Sequence, residues 1–202
     1  MISSVLSIVD NSTGLAIPLA DVKSHLNIDY DSDDARIISL NNVATEWIES
    51  ETGRTLTPRT YLEVYPCFPF YNYYQAWDGV YGRQHKLELS IVPATAVNSV
   101  SYYDTTNTLQ AWSSTNYYAV YPMRTNAFIQ GVLCYPATFQ RPDAVQVNYT
   151  AGSTPEVAKH LIRIMCSQWN ENREADVVGT IVSKSNYGVD RLLAQLKTGH
   201  YY

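Results

Sequence analysis

Apolar residues recur at helical spacing in the first quarter of the chain, at strand spacing through its middle, and at helical spacing again near its end. A short helix is predicted over Pro18–Leu26, with Pro18 at its start and Leu19, Val22 and Leu26 on one side. The polar turn 27–32 follows, then a long helix from about Asp33 to Thr52. In it Ile37, Leu40, Ala44, Trp47 and Ile48 fall within an arc of roughly 100°, the width of a core-facing stripe. Asp31 or Ser32 is placed to cap this helix, and Asp33 and Asp34 suit the positive end of its dipole. Gly53 stands where a left-handed C-cap belongs. Glu51 projects into the same arc, with either Arg54 or solvent to receive it.

From Thr57 to Gly152 the period shortens to that of strands. Six are predicted: Thr60–Tyr65, Lys86–Ile91, Val97–Tyr103, Tyr117–Val120, Phe128–Leu133 and Ala144–Tyr149, with polar turns such as 104–107 and 141–143 between some of them. Ser4–Val9 alternates loosely and reads as a short strand or an extended arm. Helix returns at Thr154, an N-cap followed by Pro155, and Ala158, Leu161, Ile162, Met165 and Trp169 form one narrow stripe reaching about Arg173. Val189, Leu192, Leu193 and Leu196 make a last apolar face before Gly199. A helix that short is marginal alone, so its leucines need a surface to dock on.

The order helix, helix, strands, helix, helix predicts an α+β fold. A helical bundle is built from both flanks, 19–56 and 154–202, with a mainly antiparallel β-domain, 57–153, inserted between them. Residues 1–18 are an N-terminal arm, and 186–202 a C-terminal docking helix.

Composition narrows the function. Of the 202 residues 46% are hydrophobic and only 16% charged, which suits a packed domain and not a disordered one. The 14 Lys and Arg are dispersed and the net charge is −5, against a protein that grips phosphate backbones. Cys67, Cys134 and Cys166 are odd in number and far apart, so neither a metal knuckle nor a full disulfide framework is encoded, and a reducing cytoplasm is expected. The N-terminal segment lacks the basic start of a secretory signal, no stretch nears the roughly 20 apolar residues of a membrane span, and the N-x-T triplets at Asn11 and Asn148 carry no glycosylation meaning.

Catalytic and metal motifs fail on inspection. Asp29, Asp31 and Asp33 resemble the start of a calcium loop, but Asp34 stands at the sharp-turn glycine position and Leu40 at the bidentate glutamate position. His25, His85, His160 and His200 lie on different elements without zinc spacing. No nucleophile elbow, phosphate loop or dinucleotide fingerprint is present. The chain is therefore expected to be no enzyme, with no catalytic residue, metal or cofactor.

Tyrosine dominates the aromatics, with 17 copies against four phenylalanines and four tryptophans. The segment Tyr65–Tyr81 is dense in rings and interrupted by Pro66, Pro69 and Gly79, too irregular for a central strand. Either it covers the β-domain's own core, or it is an arm that buries Phe68, Phe70, Tyr71, Tyr73, Tyr74, Trp77 and Tyr81 against another subunit or a tail protein. A carbohydrate-binding or host-attachment module would display Tyr71, Tyr73, Tyr74 and Trp77 as a platform, which is the competing reading.

The run from Leu19 to Leu56 resembles the N-terminal signature of the head-tail connector (adaptor, or head-completion) proteins of tailed bacteriophages: an L-x-x-V-K-x-x-L helix, an acidic turn, a long helix with a central alanine, and T-G-R-x-L. VNSVSYYDT (97–105), AVQVNYTAG (144–152) and NENREA (170–175) extend the likeness to longer members with a β-domain. The aromatic segment and Glu51 depart from the pattern. The resemblance implies a structural virion protein of the neck between head and tail, made in the bacterial host cytoplasm. Such a protein forms a ring, commonly a dodecamer of neighbouring copies, beneath the portal protein and prolongs the channel for genomic DNA without sequence-specific binding. It also offers an attachment surface to tail or tail-completion proteins and has no membrane partner. By the same resemblance the C-terminal segment reaches the portal, where Leu192, Leu193, Leu196, Tyr201 and Tyr202 would fill a groove. A tail-completion protein below the connector is the nearest alternative.

Overall fold

The computed structural model describes residues 5–10, 14–69, 86–122, 125–132, 135–171 and 187–197. Two compact units emerge, one from Met1–Ser12 with Pro58–Ala151, the other from Thr13–Thr57 with Gly152–Tyr202.

In the first unit every described strand pair is antiparallel, and one 3-10 turn, Ser114–Asn116, is described among the strands. Its larger sheet has the order β1-β2-β8-β4-β5, from Val5–Asp10 (β1), Arg59–Tyr65 (β2), Val145–Ala151 (β8), Ala94–Tyr103 (β4) and Leu109–Trp112 (β5). Leu87–Glu88 (β3), Phe128–Gly131 (β7) and Tyr117–Val120 (β6) form a second sheet in the order β3-β7-β6. β2 and β8 pair without a break from Arg59↔Ala151 to Tyr65↔Val145. Their burial alternates strictly, so Tyr61, Glu63 and Tyr65 share a buried face with Val145, Val147 and Tyr149. Both sheets feed one core, in which Leu87 and Ile129 meet Val100, Trp112 and Val147.

The strand expected over Lys86–Ile91 is shorter than its pattern. The Leu89 amide still donates across to the Ala127 carbonyl (2.8 Å), but the next amide, Ser90, turns to the Glu63 carboxylate instead (3.0 Å). β5 escaped the sequence reading, since LQAW buries only Trp112. Ser4–Val9 resolves as an edge strand over Val5–Asp10, paired antiparallel with β2.

The second unit is helical: Leu19–Leu26 (α1), Asp34–Thr52 (α2), Glu156–Glu171 (α3) and Tyr187–Leu196 (α4). The two flanks close on each other, with α3 against both α1 and α2, and α4 against α2 and α3. Gly53 ends α2 in the left-handed region at φ 66°, as expected of a C-cap glycine. The Thr154 hydroxyl donates to the Leu56 carbonyl (3.0 Å), and the Ser153 amide donates to the Thr55 carbonyl (3.2 Å). The two passes of chain that bound the β insertion are thus tied side by side.

The buried side of α2 differs from the expected arc. Ile37, Ala44 and Ile48 are buried, but so are Asn41, Thr45 and Thr52, whereas Trp47 is 36% exposed and Leu40 only half-buried. The face is turned toward its polar members, whose donors each find a carbonyl inside, although the Asn41 side-chain oxygen is buried without a partner. Asn41 donates to the Ile17 carbonyl (2.9 Å), and Thr45 and Thr52 donate to carbonyls one turn back (2.7 Å each). Trp47 is thereby removed from the core, and Glu51 lies in solvent. On α3, Leu161, Ile162 and Met165 are buried together with Cys166, and Trp169 packs at the margin.

Candidate functional site

Three polar clusters stand out among the described residues. In the β unit Glu63 is fully buried and accepts from the Ser90 amide and hydroxyl and from the Tyr149 hydroxyl (2.9 Å). Tyr65 donates nearby to the Glu88 carbonyl (2.7 Å). Burial, reinforced by the Glu63 charge, pushes both phenols far above the usual range, so they act as fixed proton donors. The cluster holds β2, β8 and the segment after β3 together.

The acidic turn before α2 is occupied by cations of the chain itself. Lys23 from α1 bonds both Asp31 and Asp34 (2.7 Å each), and Arg36 bonds Asp33 (2.6 Å) and reaches Asn170 on α3. Those hydrogen bonds raise the Lys23 pKa and lower that of Asp31. The N-cap is Asp33, without a side-chain cap bond, so neither Asp31 nor Ser32 does the expected capping. The turn that looked like a calcium loop is an ionic clasp between helices.

In the β4–β5 hairpin Asp104 accepts from the hydroxyl and amide of Thr106, the Thr108 amide (3.0 Å) and the Gln110 side chain (3.0 Å). Led by the Thr106 hydroxyl, these bonds bring its carboxyl down to about 2. The turn is completed by Asn107 at φ 59°. His25 and His160 are exposed on separate helices. His85, His200 and Cys134 lie outside the described residues.

The expected contact residues divide sharply. Phe68 is core, with its ring centroid 4.9 Å from that of Trp112 and 5.1 Å from that of Tyr135. It is therefore spent on the β unit's own packing and is unavailable to a neighbour. Phe70, Tyr71, Tyr73, Tyr74, Trp77 and Tyr81 lie outside the described residues. Leu193 and Leu196 are buried in the helical core, and Leu192 and Val189 pack against its edge. Their docking partner is the chain's own α2 and α3, so Leu193 and Leu196 are withdrawn from the portal groove assigned to them. Tyr201 and Tyr202 are not described.

The apolar surface that remains open was not anticipated. Trp47 and Val43 are exposed one turn apart on α2, as are Leu6, Ile8 and Val9 on β1 and Tyr118 and Val120 on β6. The signal for β1 and β6 was present as short alternating runs without charge, VLSIV and YYAV, but alternation alone does not say which face is covered.

Among the described residues of this α+β chain the three polar clusters are internal clasps, and apolar side chains on strand edges and on one helix face stay open, as surfaces for assembly do. The family comparison specifies it: residues 16–117 match the phage gp6-like head-tail connector protein model, and the chain belongs to that family. Among curated proteins none matches in sequence. Solved structures share the fold over nearly the whole length. A chain from the neck of an empty gene transfer agent (GTA) particle, computed with C6 symmetry, aligns at TM-score 0.70 and 19% identity, covering 98% of this chain and 97% of that one. A chain from the virion of a native GTA particle aligns at 0.67 and 18%, and one from a native GTA neck computed with C12 symmetry at 0.66 and 19%, with the same coverages.

Proposed function

We propose that this chain works as a head-tail connector in the virion neck, forming a ring under the portal, extending the DNA channel and presenting a surface to the tail. The observation that carries this is the family match across α1, α2 and the strands up to the start of β6, on a fold shared end to end with neck chains. The role is structural and needs no catalysis, cofactor or metal. Twelve copies, the symmetry of one related neck, would total about −60, a field that lets DNA pass without sticking where it faces the lumen. The low share of charged residues, 16%, suits a surface largely covered by neighbours.

Portal contact is assigned to the segment beyond α4, with Tyr201 and Tyr202, since the α4 leucines are engaged within the unit. Lateral or tail-side contact is assigned to Phe70, Tyr71, Tyr73, Tyr74, Trp77 and Tyr81. Electron microscopy of the chain mixed with its portal tests the reading, with an added ring of defined symmetry as the expected result. Portals that stay bare, and particles that complete tails without this chain, would refute it. Truncation after Lys197 should abolish the added ring, and Trp77→Ala should weaken lateral or tail contact while leaving the fold intact.

A further inference from the structure

Two strand edges of the β unit are open and chemically matched. β1 ends the five-stranded sheet and β6 ends the three-stranded one, with no strand beyond either among the described residues. Leu6 and Ile8 stand opposite Glu63 and Tyr61, on the core-facing side of the sheet, yet they are 38% and 52% exposed. The apolar face of that sheet therefore continues past its cover. On β6 burial alternates, and Tyr118 and Val120 point outward at 61% and 42% exposure. Each edge thus shows two large apolar side chains two residues apart, with no charge from 5 to 9 or from 117 to 120 and no proline.

Natural edge strands are normally blunted by charge, proline or shortness. Of the other two edges, β3 is two residues long and carries Glu88, while β5, uncharged and four residues long like β6, differs in exposing a single large apolar side chain, Leu109. β1, whose one charge is the terminal Asp10, and β6 are the two edges that each expose a pair of large apolar side chains.

We propose that β1 of one copy pairs edge to edge with β6 of the next, laying Leu6 and Ile8 beside Tyr118 and Val120 in one shared apolar strip. The occupant is a second copy of this chain because both halves of the contact are carried by it, on different edges. Such a contact is head-to-tail and propagates around a ring, whereas β1 against β1 would stop at a dimer. Aromatic beside β-branched side chains are favourable cross-strand neighbours. This inference rests on the connector reading and specifies which surfaces join its subunits.

The test is sedimentation of the full-length chain and of Ile8→Lys and Tyr118→Glu, each spoiling one edge. The parent should associate with rising concentration, and each variant alone should sediment as a monomer. An equimolar mixture should stop at a species of twice the 22.8 kDa chain mass, since one intact edge of each kind survives. A parent that stays monomeric, variants that assemble like it, or a mixture that remains monomeric each overturn the pairing. Leu6→Lys and Val120→Lys serve as second variants should either first one shift the urea midpoint. Failure of the pairing is separable from failure of the connector role, because a chain found by microscopy in the neck ring while its edge variants still assemble refutes only the assignment of edges.

Discussion

Replacing Glu63 with alanine strands one fully buried hydroxyl and releases two donors that water can reach. Tyr149 has no exposure, and losing its carboxylate acceptor leaves its hydroxyl proton without a partner, at roughly 1–3 kcal/mol, while the oxygen still accepts from the Ile91 amide (3.4 Å). Ser90 is exposed, so its amide and hydroxyl rehydrate and forfeit only the net value of each bond, about 0.5–1.5 kcal/mol. Freeing the carboxylate from burial returns part of this. The expected loss is about 2–4 kcal/mol of unfolding free energy. In a Tyr149→Phe background the stranded hydroxyl no longer exists, so the same substitution should cost about 1–2 kcal/mol less. Urea unfolding of the four proteins in this cycle measures the coupling, and hydrogen exchange of β2 and β8 amides confirms that the loss falls in the β unit. A cost below about 1 kcal/mol, or strict additivity, would show that the cluster is not a clasp.

Other outcomes follow from the same geometry. The Asp104 carboxyl, held near 2, takes up its proton later than in the unfolded chain, whose value is about 4. The hairpin's stability should therefore be complete above about pH 4 and decline as pH falls toward 2, which a carbon-detected NMR titration of Asp104 reads directly; a titration centred near 4 contradicts the turn. Burial pushes the Cys166 thiol up to about 11, so at mildly alkaline pH it should resist a disulfide reagent in the native protein and react fully in urea. Rapid native labelling would mean that α3 is not packed as described. Leu196→Ala should cost about 2–4 kcal/mol and the half-exposed Val43→Ala under about 1. Thermal melts of the two variants decide it.

Much of the fold was legible in order and type. The Gly53 cap, the spans of α1, α2 and α4, and the strand at Tyr117–Val120 follow from local periodicity and from backbone needs that a residue meets by itself. The surfaces were less legible. Apolar spacing marked Trp47, Phe68, Leu193 and Leu196 alike as side chains needing cover, but not whether the cover lies in the same chain or another. The structure buries three of them internally and leaves the tryptophan open.

What the sequence determined alone is therefore the succession of elements apart from β5, because helix and strand periods, caps and turn residues act over a few neighbours. Tertiary structure decided which face each element buries. On α2 that choice passed to Asn41, Thr45 and Thr52, whose polar groups find carbonyls within reach, and on β1 the strand runs past the core that would have covered it. Burial is shared among elements distant in the chain, so no window of sequence contains it.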